Sequence, residues 1–154
     1  MSESKKTYED ILDQYGKLVY KNIGTSMMPL LRQNRDLMVI EKKKIERCKK
    51  YDAVLYKRPN GKYVLHRIIK VRKSDYVICG DHCYRKEYGI TDGQIIGVLK
   101  AVVRDGKTIS VDDRKYLLYV HLWCDLFYIR AAILVVKRFS YGVVKKLFRG
   151  DKNE

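Results

Sequence analysis

Ile11, Leu12, Tyr15, Leu18 and Val19 recur at the three- and four-residue steps of a helix face. They follow a Thr7 and Asp10 pair that has the form of a capping box, with Asp in place of the usual Glu or Gln. The pattern predicts a short amphipathic helix from about Tyr8, giving way to a strand near residues 17–23. From Asp36 the texture changes. Residues 37–40, 53–56, 63–71 and 76–79 are rich in Val, Ile, Leu and Tyr, which suit a pleated, half-buried surface. Asn60-Gly61 between two such runs predicts a hairpin whose turn residues both reach positive φ. Asp105-Gly106 repeats the signal between residues 95–103 and 108–111. After Arg114 the pattern returns to helix: residues 116–136 are apolar with few breaks, and 139–148 continue with Lys on one side.

These elements predict a mainly β fold of short antiparallel strands with a short N-terminal helix and C-terminal helices. They divide the chain into an amphipathic helical start (1–22), a β-domain (23–112) and a hydrophobic, basic helical extension (113–154). At 154 residues the chain suits one domain that buries roughly two-thirds of its unfolded surface. The run 116–136 is long enough to test as a membrane span, but it contains His121, Asp125 and Arg130. Each of the two charges costs ~2.5–3.5 kcal/mol near a bilayer centre. Packing on the β-domain costs less and is the expectation. Lying in a membrane interface, with Lys137, Arg138, Lys145, Lys146 and Arg149 toward head groups, is the other inexpensive arrangement. The polar first 20 residues hold neither a signal-peptide apolar run nor a span, so a cytoplasmic protein, peripheral on a membrane at most, is expected.

Charge adds a partner question. Lys and Arg number 33 against 18 Asp and Glu, a formal net charge of +15. By segment the net charge is 0 over 1–31, +11 over 32–73, −2 over 74–113 and +6 over 114–154. No RNP-like aromatic motif, zinc finger or recognition helix accompanies the excess, which argues against specific nucleic-acid binding. Two separated basic blocks suit an acidic peptide or an anionic membrane surface better. Cys48, Cys79, Cys83 and Cys124 fit free thiols of a reducing compartment. The C-x-x-H-C run formed by Cys79, His82 and Cys83 matches no common zinc pattern, so no metal or cofactor is expected.

Candidate chemistry begins at Gly24-Thr25-Ser26-Met27-Met28-Pro29. A turn tightened by glycine and proline can present a serine hydroxyl while backbone N–H groups face a developing oxyanion. The same residues can equally be a strand-to-helix junction, with Ser26 capping a short helix over residues 27–31. Forty residues on, His66 stands on a predicted strand among apolar neighbours. A strand histidine is commonly a structural group, but a serine nucleophile needs a base and the base an orienting acid. Asp81, in Gly80-Asp81 at the end of the next strand, and Glu87 are the candidate acids. Ser–His–acid is a complete set for acyl transfer.

In this order the residues resemble the type I signal peptidases and their LexA-like relatives. The matching pieces are Ser26-Met27-Met28-Pro29, Asp36-Leu37-Met38-Val39, Asp52-Ala53-Val54-Leu55, Leu65-His66-Arg67 and Cys79-Gly80-Asp81, spanning residues 17–99. The chain is most similar to the endoplasmic-reticulum and archaeal type, whose base is histidine. The resemblance implies a LexA/signal-peptidase-like β catalytic domain with Ser26 as nucleophile and His66 as general base. It puts acids at Asp81 and six residues on, where Glu87 stands for the usual Asp. It further implies an oxyanion site at Ser26 N–H and the Thr25 hydroxyl, with Met27, Met28 and Pro29 on the substrate side. Arg35-Asp36 and Tyr51-Asp52 depart from the family's usual Gly-Asp pairs, and from residues 1–25 neither an N-terminal anchor nor a DNA-binding unit is expected before the motif.

The expected activity is that of a serine endopeptidase cutting a precursor or leader peptide held as an extended strand. The alternative is a catalytically silent peptide- or membrane-binding module on the same fold.

Overall fold

The computed structural model describes the backbone of residues 6–150, and side chains through Lys137 together with that of Ser140. The expected head-group contacts of Arg138, Lys145, Lys146 and Arg149 lie outside the described residues. The capping box forms: the Thr7 hydroxyl accepts from the Asp10 N–H, and the Asp10 carboxylate accepts from the Thr7 N–H. It opens α1 (Tyr8–Tyr15), which ends on Gly16 and buries Leu12 against the sheet.

Eight antiparallel strands follow: β1 (Lys17–Lys21), β2 (Leu37–Lys42), β3 (Ala53–Lys57), β4 (Tyr63–Val71), β5 (Tyr76–Cys79), β6 (Glu87–Ile90), β7 (Ile95–Arg104) and β8 (Lys107–Ser110). They form one sheet in the order β1-β2-β7-β3-β4-β5-β6, with β8 paired to β7. The fold is therefore mainly β, as the pattern predicts. Residues 17–21 belong to the sheet, as its edge strand. The sequence pattern missed β6, a four-residue edge strand held by two pairs to β5.

The two hairpin signals resolve differently. Asp105 and Gly106 both take positive φ, 48° and 78°. At the β3–β4 turn only Gly61 does, at 78°. Pro59 explains this: its ring fixes φ near −65°, which suits a four-residue turn from Arg58 that ends on the left-handed Gly61. The Gly61 N–H donates to Arg58 O, and the Arg58 N–H to Lys62 O.

One core, including Leu12, Leu31, Ile40, Leu55 and Leu99, lies between α1 and the sheet. A second gathers Val54, Tyr56, Ile68, Tyr76 and Ile78. Asp113 caps α2 (Arg114–Asp125), which turns Tyr116, Val120 and Cys124 onto the body; α3 (Phe127–Gly150) follows. Among the described residues no single helix is long and apolar enough to cross a membrane. α2 and α3 up to Lys137 would suffice together, but they are bent by 75°.

Candidate active site

Ser26 lies in the connection from β1 to β2, and buried polar groups brace that connection. Asn22 sends its side-chain amide to Gly24 O and Leu31 O, at 2.8 and 3.2 Å. The fully buried Asp36 carboxylate accepts from the Arg32 backbone and guanidinium and from Arg104, which also reaches Leu30 O. Burial pushes the Asp36 pKa up, but the two arginines more than reverse this and hold it at about 2. No helix begins at Ser26. The Met28 N–H donates to Thr25 O and the Leu31 N–H to Met27 O, which makes successive turns and overturns the helix-cap reading. Ser26 is half-buried and Thr25 exposed.

Strand periodicity places the candidate base, His66. Along β4, His66 falls opposite Val54, and Arg67 points to the other face opposite Cys79. Arg67 therefore reaches past the end of β5 and grips the Asp81 carboxylate with both nitrogens of its fork, at 2.9 and 2.7 Å. Both side chains are buried, and the Tyr119 hydroxyl donates to the same carboxylate at 3.0 Å. The Asp81 carboxylate is thus committed to Arg67, which corrects its candidacy as the acid orienting His66.

Glu87 takes that place. Its Oε1 lies 2.9 Å from His66 Nδ1, while Arg58 holds the same carboxylate at 2.6 and 3.0 Å. Burial pushes the Glu87 pKa up, yet the bonds from Arg58 and Tyr56 and the nearby imidazole bring it below its ordinary value. An ionised carboxylate only accepts, so Nδ1 carries the imidazole proton and Nε2 keeps a free lone pair. Burial lowers the His66 pKa, the Glu87 charge opposes this, Arg58 adds to it, and the net shift is downward. His66 is neutral at physiological pH, the form a general base needs.

Gly80 joins the two halves. A Cβ there would sit 2.6 Å from Ser26 O, 2.8 Å from Cys83 Sγ and 3.0 Å from His66 Nε2. The backbone can approach this closely only without a side chain. The His82 N–H donates to Ser26 O at 2.8 Å, tying the serine turn to the segment after β5. Ser26 and His66 line one cavity of about 480 Å³, with Met27, Tyr8, Tyr63 and Cys83 among its walls. Among the described residues, neither the Ser26 hydroxyl nor His66 Nε2 has a hydrogen-bond partner, and nothing accepts from the Ser26 N–H.

Other candidate residues lie elsewhere. Met28 and Pro29 border a neighbouring groove, together with His82, and only Met27 of the trio lines the cavity. Cys79 donates its thiol to Cys83 O and Arg85 O at 3.3 Å, and no cluster of metal-ligating side chains occurs among the described residues. The +11 block does not rim the cavity. Lys42, Lys43, Lys44, Lys49 and Lys50 line a separate cleft of about 460 Å³, and Arg58 is the one basic side chain of that block at the Ser26 cavity. Sequence reasoning missed Arg58 and Tyr56, whose hydroxyl lies 3.4 Å from His66 Nδ1. No local motif marks either residue. No family model, curated protein or solved structure matches the chain.

Proposed function

We propose that the protein is a serine endopeptidase of the signal-peptidase-like superfamily that cuts a precursor or leader peptide. One observation carries this reading. A buried imidazole is held at Nδ1 by Glu87, 2.9 Å away, and His66 lines the same cavity as Ser26.

Ser26 Oγ attacks the peptide carbonyl carbon while His66 Nε2 takes the hydroxyl proton. Glu87 stabilises the imidazolium that forms. The oxyanion meets the Ser26 N–H and the Thr25 hydroxyl. On collapse the C–N bond breaks and His66 returns its proton to the leaving amine. Water then attacks the Ser26 ester with His66 again as base, which restores the serine. The substrate runs as an extended strand between the β1 exit at Asn22–Gly24 and the β4 side chains Tyr63 and Val64, all of which line the cavity.

The test is a mass-spectrometric search for new N-termini in a peptide library incubated with wild type, Ser26→Ala and His66→Ala. Cleavage by wild type and at least about 10³-fold less by Ser26→Ala is expected. Equal product from wild type and Ser26→Ala would leave the silent binding module as the better description.

A further inference from the structure

The C-terminal helices carry apolar side chains where a water-facing helix would be polar. α2 turns Tyr116, Val120 and Cys124 inward, yet Leu117, Leu118 and Leu122 are 45–61% exposed. In α3 the usual polarity is inverted. Arg130 is buried, with one nitrogen on Cys83 O at 3.3 Å and its Nε unpartnered, while Ile129, Ile133 and Val136 are 50–63% exposed. Apolar side chains on the outward faces of both helices suit a surrounding that is itself apolar.

Leu118, Leu122, Leu126, Ile129 and Ile133 run as one stripe along the two helices and floor a groove of about 700 Å³ beside Met28 and Pro29. Lys115, in the first turn of α2, and Lys137, in α3, also line this groove. Residues 114–154 carry nine basic and three acidic side chains.

We infer that this stripe is a docking surface for an anionic lipid bilayer, lying in the interface with its apolar side chains at the acyl boundary. Charge complementarity selects the occupant: lysines lining a groove with an apolar stripe match anionic head groups. A second copy of the chain would instead set +15 against +15. The 75° bend suits helices lying on a surface rather than a straight crossing. Docking also reaches the candidate site. The inner face of α2 holds the turn after β5, where Tyr119 donates to the Asp81 carboxylate and Trp123 Nε1 to Asp81 O at 2.7 Å. Resting on the peptidase reading, the substrate would then be a peptide presented at the membrane surface.

The test is co-sedimentation of the full chain carrying Ser26→Ala, so that docking is read without hydrolysis and stands or falls apart from the peptidase reading. Vesicles of phosphatidylcholine, with and without phosphatidylglycerol, are the probes. Binding to the anionic vesicles is expected, weakened by salt and by about tenfold or more in a Leu122→Glu/Ile129→Glu variant with an unchanged melting curve. Should that variant fail to fold, Lys115→Glu/Lys137→Glu is expected to lose anionic binding in its place. Three results would overturn the inference: no sedimentation with anionic vesicles, binding that survives the substitutions, or retention after alkaline carbonate, which marks a crossing helix. Self-association without lipid that is lost in the variant would assign the stripe to a second copy instead.

Discussion

Two carboxylates stand near His66 in sequence, and their surroundings separate their duties. Asp81 is closed in a buried pair with Arg67, whereas Glu87 touches the imidazole. Glu87→Gln is therefore expected to lower kcat about 10²–10⁴-fold with little change in folding. Asp81→Asn is expected instead to cost about 3–5 kcal/mol, because it leaves the Arg67 charge buried and unpaired. Kinetics and denaturant melts of the two variants check the division, and comparable kinetic defects with intact stability would overturn it. The pH profile belongs to the same scale. As the proposed base His66 must be neutral, and its pKa lies below the ordinary 6.5, so the acid limb of kcat/KM should have its midpoint below 6.5. Removing the Glu87 charge, which favours imidazolium, should move that midpoint lower still. The serine, the histidine and both acids were legible in the sequence as residues. The choice between the acids was not, because it depends on the Arg67 and Cys79 register and on an arginine in a distant turn.

At the scale of elements, the site is a junction between the β1–β2 connection and the segment after β5. Gly80 sits at their closest point, so Gly80→Ala must push apart Ser26 O, Cys83 and His66. The expected outcome is a loss of about 1–3 kcal/mol together with a fall in kcat, measured by melting and turnover. An alanine variant with full activity would show that the contact is not required. Most elements were legible because their patterns were strong: the capping box at Thr7, the apolar runs of β4 and β5, and Asp105-Gly106 each formed as predicted. Where a pattern was short or a neighbour dominated, prediction fell away. β6 is four residues at an edge, and Pro59 rather than Asn60 set the β3–β4 turn. The serine turn reads locally as a cap, yet it forms successive turns and no helix, braced by the buried Asn22 and Asp36.

For the whole molecule, charge is distributed by task. The basic block of the β-domain lines a cleft apart from Ser26, while the candidate site keeps one arginine and spends it on Glu87. Asp36 gives the fold a defined acid limit. Its pKa of about 2 lies below the ordinary 3.8, so its stabilisation is complete above pH 3.8 and is lost as pH falls toward 2. Chemical denaturation across that range should show the loss, and Asp36→Asn should flatten it. Total charge alone could not reveal this arrangement, since strand order and connection geometry decide which lysines meet the cavity. The central claim is that His66 activates Ser26 as a nucleophile. Its most direct measurement is intact-mass analysis after treatment with a fluorophosphonate that traps activated serines. One adduct on Ser26 in wild type, none in Ser26→Ala and slow labelling in His66→Ala is the predicted result. An unmodified wild type, or equal labelling of Ser26→Ala, would contradict it.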